Sequence, residues 1–146
     1  MRNYKQGIFT PKNPQKYRGD VKTVTFRSSW EMRVMKWLDE TPSVLEWASE
    51  EAVVLYESPI DLEKHRYFVD FYARIKTSTG ETKSYLIEIK PEKETIEPKK
   101  GKKLTKRYIQ ELTTWGVNQA KWKAATEFAK DRGWSFLVLT EKNLGI

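Results

Sequence analysis

The chain has 146 residues, enough for one compact domain around a single buried core. Hydrophobic residues make up 38% and charged residues 32% of it, and the six Trp, seven Tyr and six Phe can bury large surfaces, so the composition predicts a soluble globular protein. The absence of cysteine and the single histidine, His65, argue against disulfides, a zinc cluster and a histidine-based triad. No apolar run approaches the roughly 18 residues of a membrane span, and no signal peptide opens the sequence, so we expect a protein of a reducing cytoplasm.

The charge of the chain is strongly basic and unevenly distributed. Its formal value of +7 arises from 27 Lys and Arg against 20 Asp and Glu, which favours a polyanionic partner such as nucleic acid. Residues 1–27 hold seven basic side chains and one acid, and residues 93–107 hold seven basic side chains and two acids. In the second stretch, the candidates for contacts with a DNA backbone are Lys99, Lys100, Lys102 and Lys103.

The N-terminal part of the chain combines an irregular segment with a well-defined helix start. Residues 1–25 show no hydrophobic periodicity. We predict that the whole chain forms a single domain and that these residues are its extended basic arm, with a solvated tail as the alternative. A helix should begin around Ser28, because Ser28 as N-cap puts Glu31 at the third helical position of a capping box. Pro42 prevents the helix from continuing beyond about Glu40.

The rest of the chain alternates strand-like and helical patterns. Strand-like runs lie at residues 44–47, 52–56, 66–76, 83–90 and 135–140. The charged stretch 91–105 predicts a loop, and two helices should follow it, one from Thr105 to Trp115 and one from Asn118 to about Arg132, because Gly116 interrupts the pattern. This order predicts an α/β fold in which a mixed central sheet is flanked by helices.

The two central strand-like runs carry charged side chains on one face. Because side chains two apart share a face, Glu88 and Lys90 point the same way in one strand, and Asp70 lies with Phe68 and Tyr72 in the other. In the strand that contains Asp70, the opposite face should carry Val69, Phe71, Ala73 and Ile75.

A hairpin between these two strands would bring two carboxylates together. If it is centred near Thr79, Asp70 lies opposite Glu88 with about 4.5–5.5 Å between Cβ atoms, and the same register pairs Tyr72 with Leu86. Like charges at that spacing repel, whereas a divalent cation between them reverses the sign of the interaction, and carboxylate oxygens are the ligands that Mg²⁺ prefers. The alternative is a solvated face on which a lysine neutralises the pair.

Glu31 is a third acidic candidate for the same site. On an ideal helix it falls between Leu38 and Met35, inside an apolar arc of about 160° that faces the core. A lone carboxylate costs several kcal/mol to bury, so it needs a partner. Helix capping alone is the alternative, but a helix glutamate aimed at a sheet with Asp, Glu and Lys side chains is the arrangement of a metal-dependent hydrolase.

These residues resemble the PD-(D/E)XK nuclease superfamily, whose fold is that of restriction endonucleases. The match consists of Glu31 on the first helix, Asp70 in Val-Asp-Phe and the sequence Glu88-Ile89-Lys90. A longer similarity to the head-completion nucleases of large tailed phages is carried by residues 4–7, 26–31, 42–47, 66–68, 116–122 and 131–134. The proline that precedes the first Asp in the superfamily is Val69 here, a change that affects the strand rather than the chemistry.

The resemblance implies a small phage DNase that uses Mg²⁺, for which Mn²⁺ can substitute. Asp70, Glu88 and the backbone carbonyl of Ile89 would ligate the ion, Glu31 would complete its coordination directly or through water, and Lys90 would orient or deprotonate the attacking water. DNA and phage head or portal-neck proteins are the implied partners, with no membrane, and the implied location is the host cytoplasm during assembly or the virion. Two alternatives remain: a non-catalytic DNA-binding head-joining protein on a nuclease scaffold, and a transposon-end or resolvase-type nuclease.

A few further residues give weaker signals. Asn118, Gln119 and Lys121 begin the last predicted helix, where amides and lysines suit a phosphate, although capping and a solvated face explain them equally well. We expect His65 to be an ordinary loop residue.

Overall fold

A computed structural model describes residues 6–145, so the first five residues of the predicted arm lie outside the described residues. In chain order the elements are β1 (Gly7–Ile8), a 3-10 turn (Pro14–Lys16), β2 (Thr25–Phe26), α1 (Ser29–Glu40), β3 (Val44–Ser49), β4 (Val53–Glu57), β5 (Lys64–Phe68), β6 (Phe71–Lys76), β7 (Thr82–Ile89), a second 3-10 turn (Glu92–Thr95), α2 (Lys106–Asp131), β8 (Ser135–Leu139) and α3 (Glu141–Leu144).

The central sheet contains four strands in the order β3-β6-β7-β8. The pairs β3–β6 and β6–β7 are antiparallel, whereas β7–β8 is parallel. A parallel pair needs a crossover connection, and α2 supplies it. The prediction of a mixed central sheet flanked by helices is therefore confirmed. Within residues 6–145, none of the helices combines the length and the apolar character that a membrane span requires.

The two faces of the sheet bury two separate hydrophobic clusters, one under each long helix. The cluster under α1 includes Val34, Met35, Leu38, Phe71, Ala73 and Ile87. The cluster under α2 includes Val54, Tyr67, Val69, Leu86, Ala125 and Ala129. Each long helix is thus fixed against the sheet by its own apolar stripe.

Residues 6–25 pack against the body of the protein. Val24 and Tyr17 are buried, and the Tyr17 ring makes an edge contact with Trp47 at 4.7 Å between ring centroids. The carboxylate of Asp39 in α1 accepts two backbone N–H groups of this segment, at 2.8 and 3.0 Å. For these residues the alternative of a solvated tail is wrong.

The prediction of two helices after residue 105 is wrong, because α2 continues without a break from Lys106 to Asp131. Thr105 caps its first turn as expected, accepting a hydrogen bond from the backbone N–H of Tyr108 at 3.0 Å. At Gly116, a Cβ atom would find no atom within 4 Å apart from its chain neighbours and the adjacent backbone of α2. A helical glycine costs only about 1 kcal/mol relative to alanine, so one such residue does not interrupt a long helix.

The predicted strand 66–76 is in fact two strands that separate at Val69 and Asp70. The first, β5, pairs with β4, and the second, β6, pairs with β3 and β7. Strict alternation predicted that Val69 and Phe71 share one face of a single strand. Because the chain changes partner strands at this point, Val69 instead packs in the cluster under α2, whereas Phe71 packs in the cluster under α1. The predicted pairing of Tyr72 with Leu86 is confirmed.

Candidate active site

Asp70 lies at the junction between β5 and β6, next to the end of β7. Its Oδ2 atom accepts a hydrogen bond from the backbone N–H of Ile89 at 2.8 Å. The ladder between β6 and β7 ends at the pair Phe71–Ile87, so Asp70 is one residue beyond the last pair and on the side of Glu88. Within the described part of the chain, the Asp70 carboxylate is hydrogen-bonded through Oδ2 and not through Oδ1, and the residue is half-buried.

Glu88 is held at both of its carboxylate oxygens. Its Oε1 atom accepts a hydrogen bond from the hydroxyl group of Tyr67, and its Oε2 atom lies 3.3 Å from Nζ of Lys90. Only 7% of the residue is exposed. Because Glu88 and Lys90 share one face of the end of β7, the lysine reaches the carboxylate directly.

The electrostatics of this group favour a bound cation. Burial, followed by the charge of Glu88, raises the pKa of Asp70 well above its usual value, and Lys90 opposes the shift only in part. A buried Asp70 carboxyl that is costly to ionise, has one oxygen free of hydrogen bonds and lies beside a second carboxylate fits a divalent cation, which would stabilise the charged form of Asp70. The donor set is all oxygen, as Mg²⁺ and Mn²⁺ require.

Glu31 occupies the first turn of α1, as predicted, but its capping bond differs from the expected one. The Ser28 hydroxyl oxygen accepts a hydrogen bond from the backbone N–H of Glu31 at 3.1 Å. The Glu31 carboxylate accepts a hydrogen bond from the backbone N–H of Arg27 at 3.0 Å, whereas a capping box uses the N–H of Ser28. Burial raises the pKa of Glu31, and the charges of Glu50 and Glu88 add to the shift. The side chain therefore lies within the electrostatic reach of the carboxylate pair.

Glu31 does not form a compact ligand set with the other two carboxylates. Among residues 6–145, the one group of three such side chains whose ligand atoms all lie within 4.8 Å of one another consists of Asp61, Glu63 and His65. That group is exposed, and it shares no residue with the predicted site. His65 is a residue of β5 and not of a loop, and its Nε2 atom lies 2.8 Å from Asp61.

Two residues near the carboxylate pair were not recognised from the sequence. Glu50 has a left-handed backbone with φ of 56°, donates its N–H to the carbonyl oxygen of Asp70 at 3.0 Å, and forms an ion pair with Arg27. Tyr67 reaches Glu88 from the neighbouring strand pair. Both contacts join segments far apart in the sequence, so no local pattern could have predicted them.

The weaker DNA-binding candidates fall into two groups. Lys99, Lys100, Lys102 and Lys103 are all exposed on the loop before α2. Asn118, Gln119 and Lys121 were expected at a helix start but lie in the middle of α2, where the backbone N–H groups are already bonded within the helix. Asn118 is buried, and Nζ of Lys121 lies 5.5 Å from the centre of the Tyr67 ring.

Comparison with known proteins identifies the family. Residues 41–141 match the family described as TnsA-like endonuclease N terminal, a range that includes Asp70, Glu88 and Lys90 but not Glu31. The chain is 46% identical to the head completion nuclease of Enterobacteria phage T4 over 142 residues, which cover 94% of this chain and 92% of that protein. No solved structure matches the chain. The chain thus belongs to the TnsA-like endonucleases, a family with the restriction-endonuclease-like fold.

Proposed function

We propose that this protein is a Mg²⁺-dependent DNA nuclease that acts on packaged DNA during phage head completion, before the head joins the tail. The observation that carries the proposal is the cluster of Asp70, Glu88 and Lys90 at the end of β7, in which one oxygen of Asp70 is uncommitted. Family membership supports the nuclease activity, and the similarity to a head completion nuclease supports the biological role.

In this proposal, Asp70, Glu88 and the carbonyl group of Ile89 hold the metal ion. When bound, Mg²⁺ would polarise the phosphoryl oxygen, lower the pKa of water and neutralise the leaving oxygen. Glu31 would contribute through a water molecule, because its oxygens do not form a compact set with those of Asp70 and Glu88.

Lys90 supplies the positive charge of the proposed reaction centre. Its ammonium group lies 3.3 Å from Glu88 Oε2 and keeps some solvent exposure, so that it can reach both the carboxylate and a bound phosphodiester. There it would orient the attacking water and stabilise the negative charge that develops at the phosphoryl oxygens.

A second candidate function is cleavage at transposon ends, which the match to TnsA-like endonucleases favours. It shares the chemistry proposed here and differs in the DNA that is recognised. A non-catalytic DNA-binding or head-joining role is less well supported, because such a protein has no evident need for buried carboxylates whose charges repel each other.

Digestion of linear and circular duplex DNA tests the proposed activity. The wild-type protein should cut in Mg²⁺ or Mn²⁺ and not in EDTA, and Asp70→Asn should not cut under any of these conditions. Asp61→Asn provides the matched control, because Asp61 belongs to the exposed group of possible ligands outside the proposed centre, and it should cut like the wild type. Cleavage by Asp70→Asn, or cleavage in EDTA, would contradict the proposal.

A further inference from the structure

We propose that Tyr67 is a positioning residue for Glu88, whose carboxylate it orients for metal binding. This inference rests on the proposed function, because it assigns a role in the same metal centre. It concerns a residue on β5, a strand that pairs with β4 and has no ladder with β7. The hydroxyl group of Tyr67 is therefore a direct polar link between the two-stranded sheet of β4 and β5 and the candidate site.

The geometry gives Tyr67 this role. Only 5% of the residue is exposed, and its hydroxyl group donates a hydrogen bond to Glu88 Oε1 while Lys90 lies at Oε2. With a partner at each oxygen, the Glu88 carboxylate has one preferred orientation. Because each carboxylate oxygen has two lone pairs, these contacts still leave positions for a metal ion.

The hydroxyl group is a lasting donor in this position. A phenol hydroxyl group is an O–H donor at neutral pH, and here its acceptor is a carboxylate oxygen. The ring itself is fixed separately: it packs in the cluster under α2 and has Lys121 Nζ at 5.5 Å from its centre. Tyr67→Phe therefore removes the hydrogen bond that orients the Glu88 carboxylate and keeps the packing of the ring.

The test compares Tyr67→Phe with the matched variant Tyr56→Phe. Tyr56 is a buried tyrosine of the same cluster, and it also lies under Lys121, at 5.7 Å, but it makes no hydrogen bond to Glu88. Mg²⁺ binding is measured by calorimetry without DNA, and cleavage is measured as a function of Mg²⁺ concentration. Loss of a residue that orients a metal ligand typically weakens metal binding by about 10–100-fold.

We expect Tyr67→Phe to weaken Mg²⁺ binding by about 10-fold or more and to raise the Mg²⁺ concentration for half-maximal cleavage by a similar factor. The rate at saturating Mg²⁺ should fall less. Tyr56→Phe should behave as the wild type in both assays. In the background of Glu88→Gln, the additional change Tyr67→Phe should have no further effect on Mg²⁺ binding, because the tyrosine acts through that carboxylate.

Several results would overturn the inference. Mg²⁺ binding by Tyr67→Phe equal to that of the wild type would mean that the residue only fills space. Failure of Tyr67→Phe to fold, while Tyr56→Phe folds, would mean that the hydroxyl group supports the fold itself. A wild-type protein that neither binds nor uses Mg²⁺ would instead remove the proposed function, and the role of Tyr67 with it.

Discussion

At the scale of single residues, the candidate site combines a carboxylate pair with one lysine and places both at the end of a buried strand. The backbone N–H of Ile89 fixes Asp70, and Tyr67 and Lys90 fix Glu88. The side chains are therefore oriented before any ligand arrives, which lowers the cost of assembling the reactive geometry. The cost that remains is the repulsion between Asp70 and Glu88, and the metal ion would relieve it.

The first prediction is that Asp70→Asn and Glu88→Gln each abolish cleavage without loss of folding. Asn at position 70 keeps an oxygen for the N–H of Ile89, and Gln at position 88 keeps one of the two oxygens that Glu88 uses, but both replacements remove a charge. We expect the rate to fall by more than about 10²-fold, the loss typical of removing one preorganised group. The measurement is Mg²⁺-dependent digestion of linear duplex DNA, with circular dichroism as a control for folding. Retained cleavage by either variant would exclude that residue from the reaction.

The same pair has a consequence for the pH dependence of stability. Because burial and Glu88 raise the pKa of Asp70, the unfolded chain releases its proton at a lower pH than the folded chain. Stability is therefore lost as the pH rises above the ordinary Asp value of about 3.9. In EDTA at pH 8, Asp70→Asn should melt at a higher temperature than the wild type, and the difference should vanish toward pH 4. A wild type that melts higher at pH 8 would contradict the raised pKa.

Lys90 offers a second test at this scale. Lys90→Ala should reduce the rate at saturating DNA by about 10²–10³-fold, because it removes a charge placed at the reaction centre, while DNA affinity changes little. Affinity is measured in the background of Asp70→Asn, so that the DNA stays intact. Lys83→Ala, an exposed position of the same strand, is the control. An equal loss of affinity and rate would make Lys90 a phosphate anchor instead.

At the scale of secondary-structure elements, local patterns predicted what local chemistry determines. Ser28 and Pro42 bound α1 in sequence and in structure, and the spacing around Thr79 predicted the register of the hairpin. The break at Val69 depends on a change of partner strands, and the position of Glu50 depends on the pairing of β3 with β6. Such long-range pairings leave no periodic signal in the sequence, so they could not be predicted.

Gly116 provides a test of the continuous helix. A Cβ atom at this position would meet nothing within 4 Å beyond its chain neighbours and the adjacent helix backbone. Gly116→Ala should therefore stabilise the fold by about 1 kcal/mol, equivalent to a rise in Tm of about 3–5 °C. Gly133→Ala is the matched control, because that glycine also lies in open space but has φ of +72°. It should lower the Tm, since a left-handed alanine costs roughly 1–2 kcal/mol. A lower Tm for Gly116→Ala would mean that the helix is interrupted there after all.

At the scale of the whole molecule, the candidate site is followed directly in the chain by the connection between β7 and α2, which we term the basic loop. The chain leaves β7 through Lys90 and Pro91 and then runs directly into residues 93–107, which contain seven basic side chains and two acids. A local positive potential attracts the DNA backbone and raises the rate of association. We therefore expect affinity to depend on this loop and chemistry to depend on the end of β7.

The salt dependence of binding measures the contribution of the loop. The slope of log affinity against log salt concentration is about −0.9 for each phosphate that is neutralised. Replacing Lys99, Lys100, Lys102 and Lys103 with Gln should flatten that slope by up to about 3 to 4 units. Binding should weaken to a similar extent for all DNA sequences, because contacts with the backbone carry no base information. Cleavage at saturating DNA should persist.

A matched set of charges separates a specific contact from a change in net charge. Gln in place of Lys36, Lys76, Lys83 and Lys130, all of which are exposed elsewhere on the protein, removes the same number of charges and should flatten the slope much less. Both sets are made in the background of Asp70→Asn and measured on intact DNA at several salt concentrations. Equal flattening by the two sets would mean that only overall charge matters. An unchanged slope in the loop variant would mean that the loop is merely solvated, and DNA binding would then be assigned to the basic N-terminal segment.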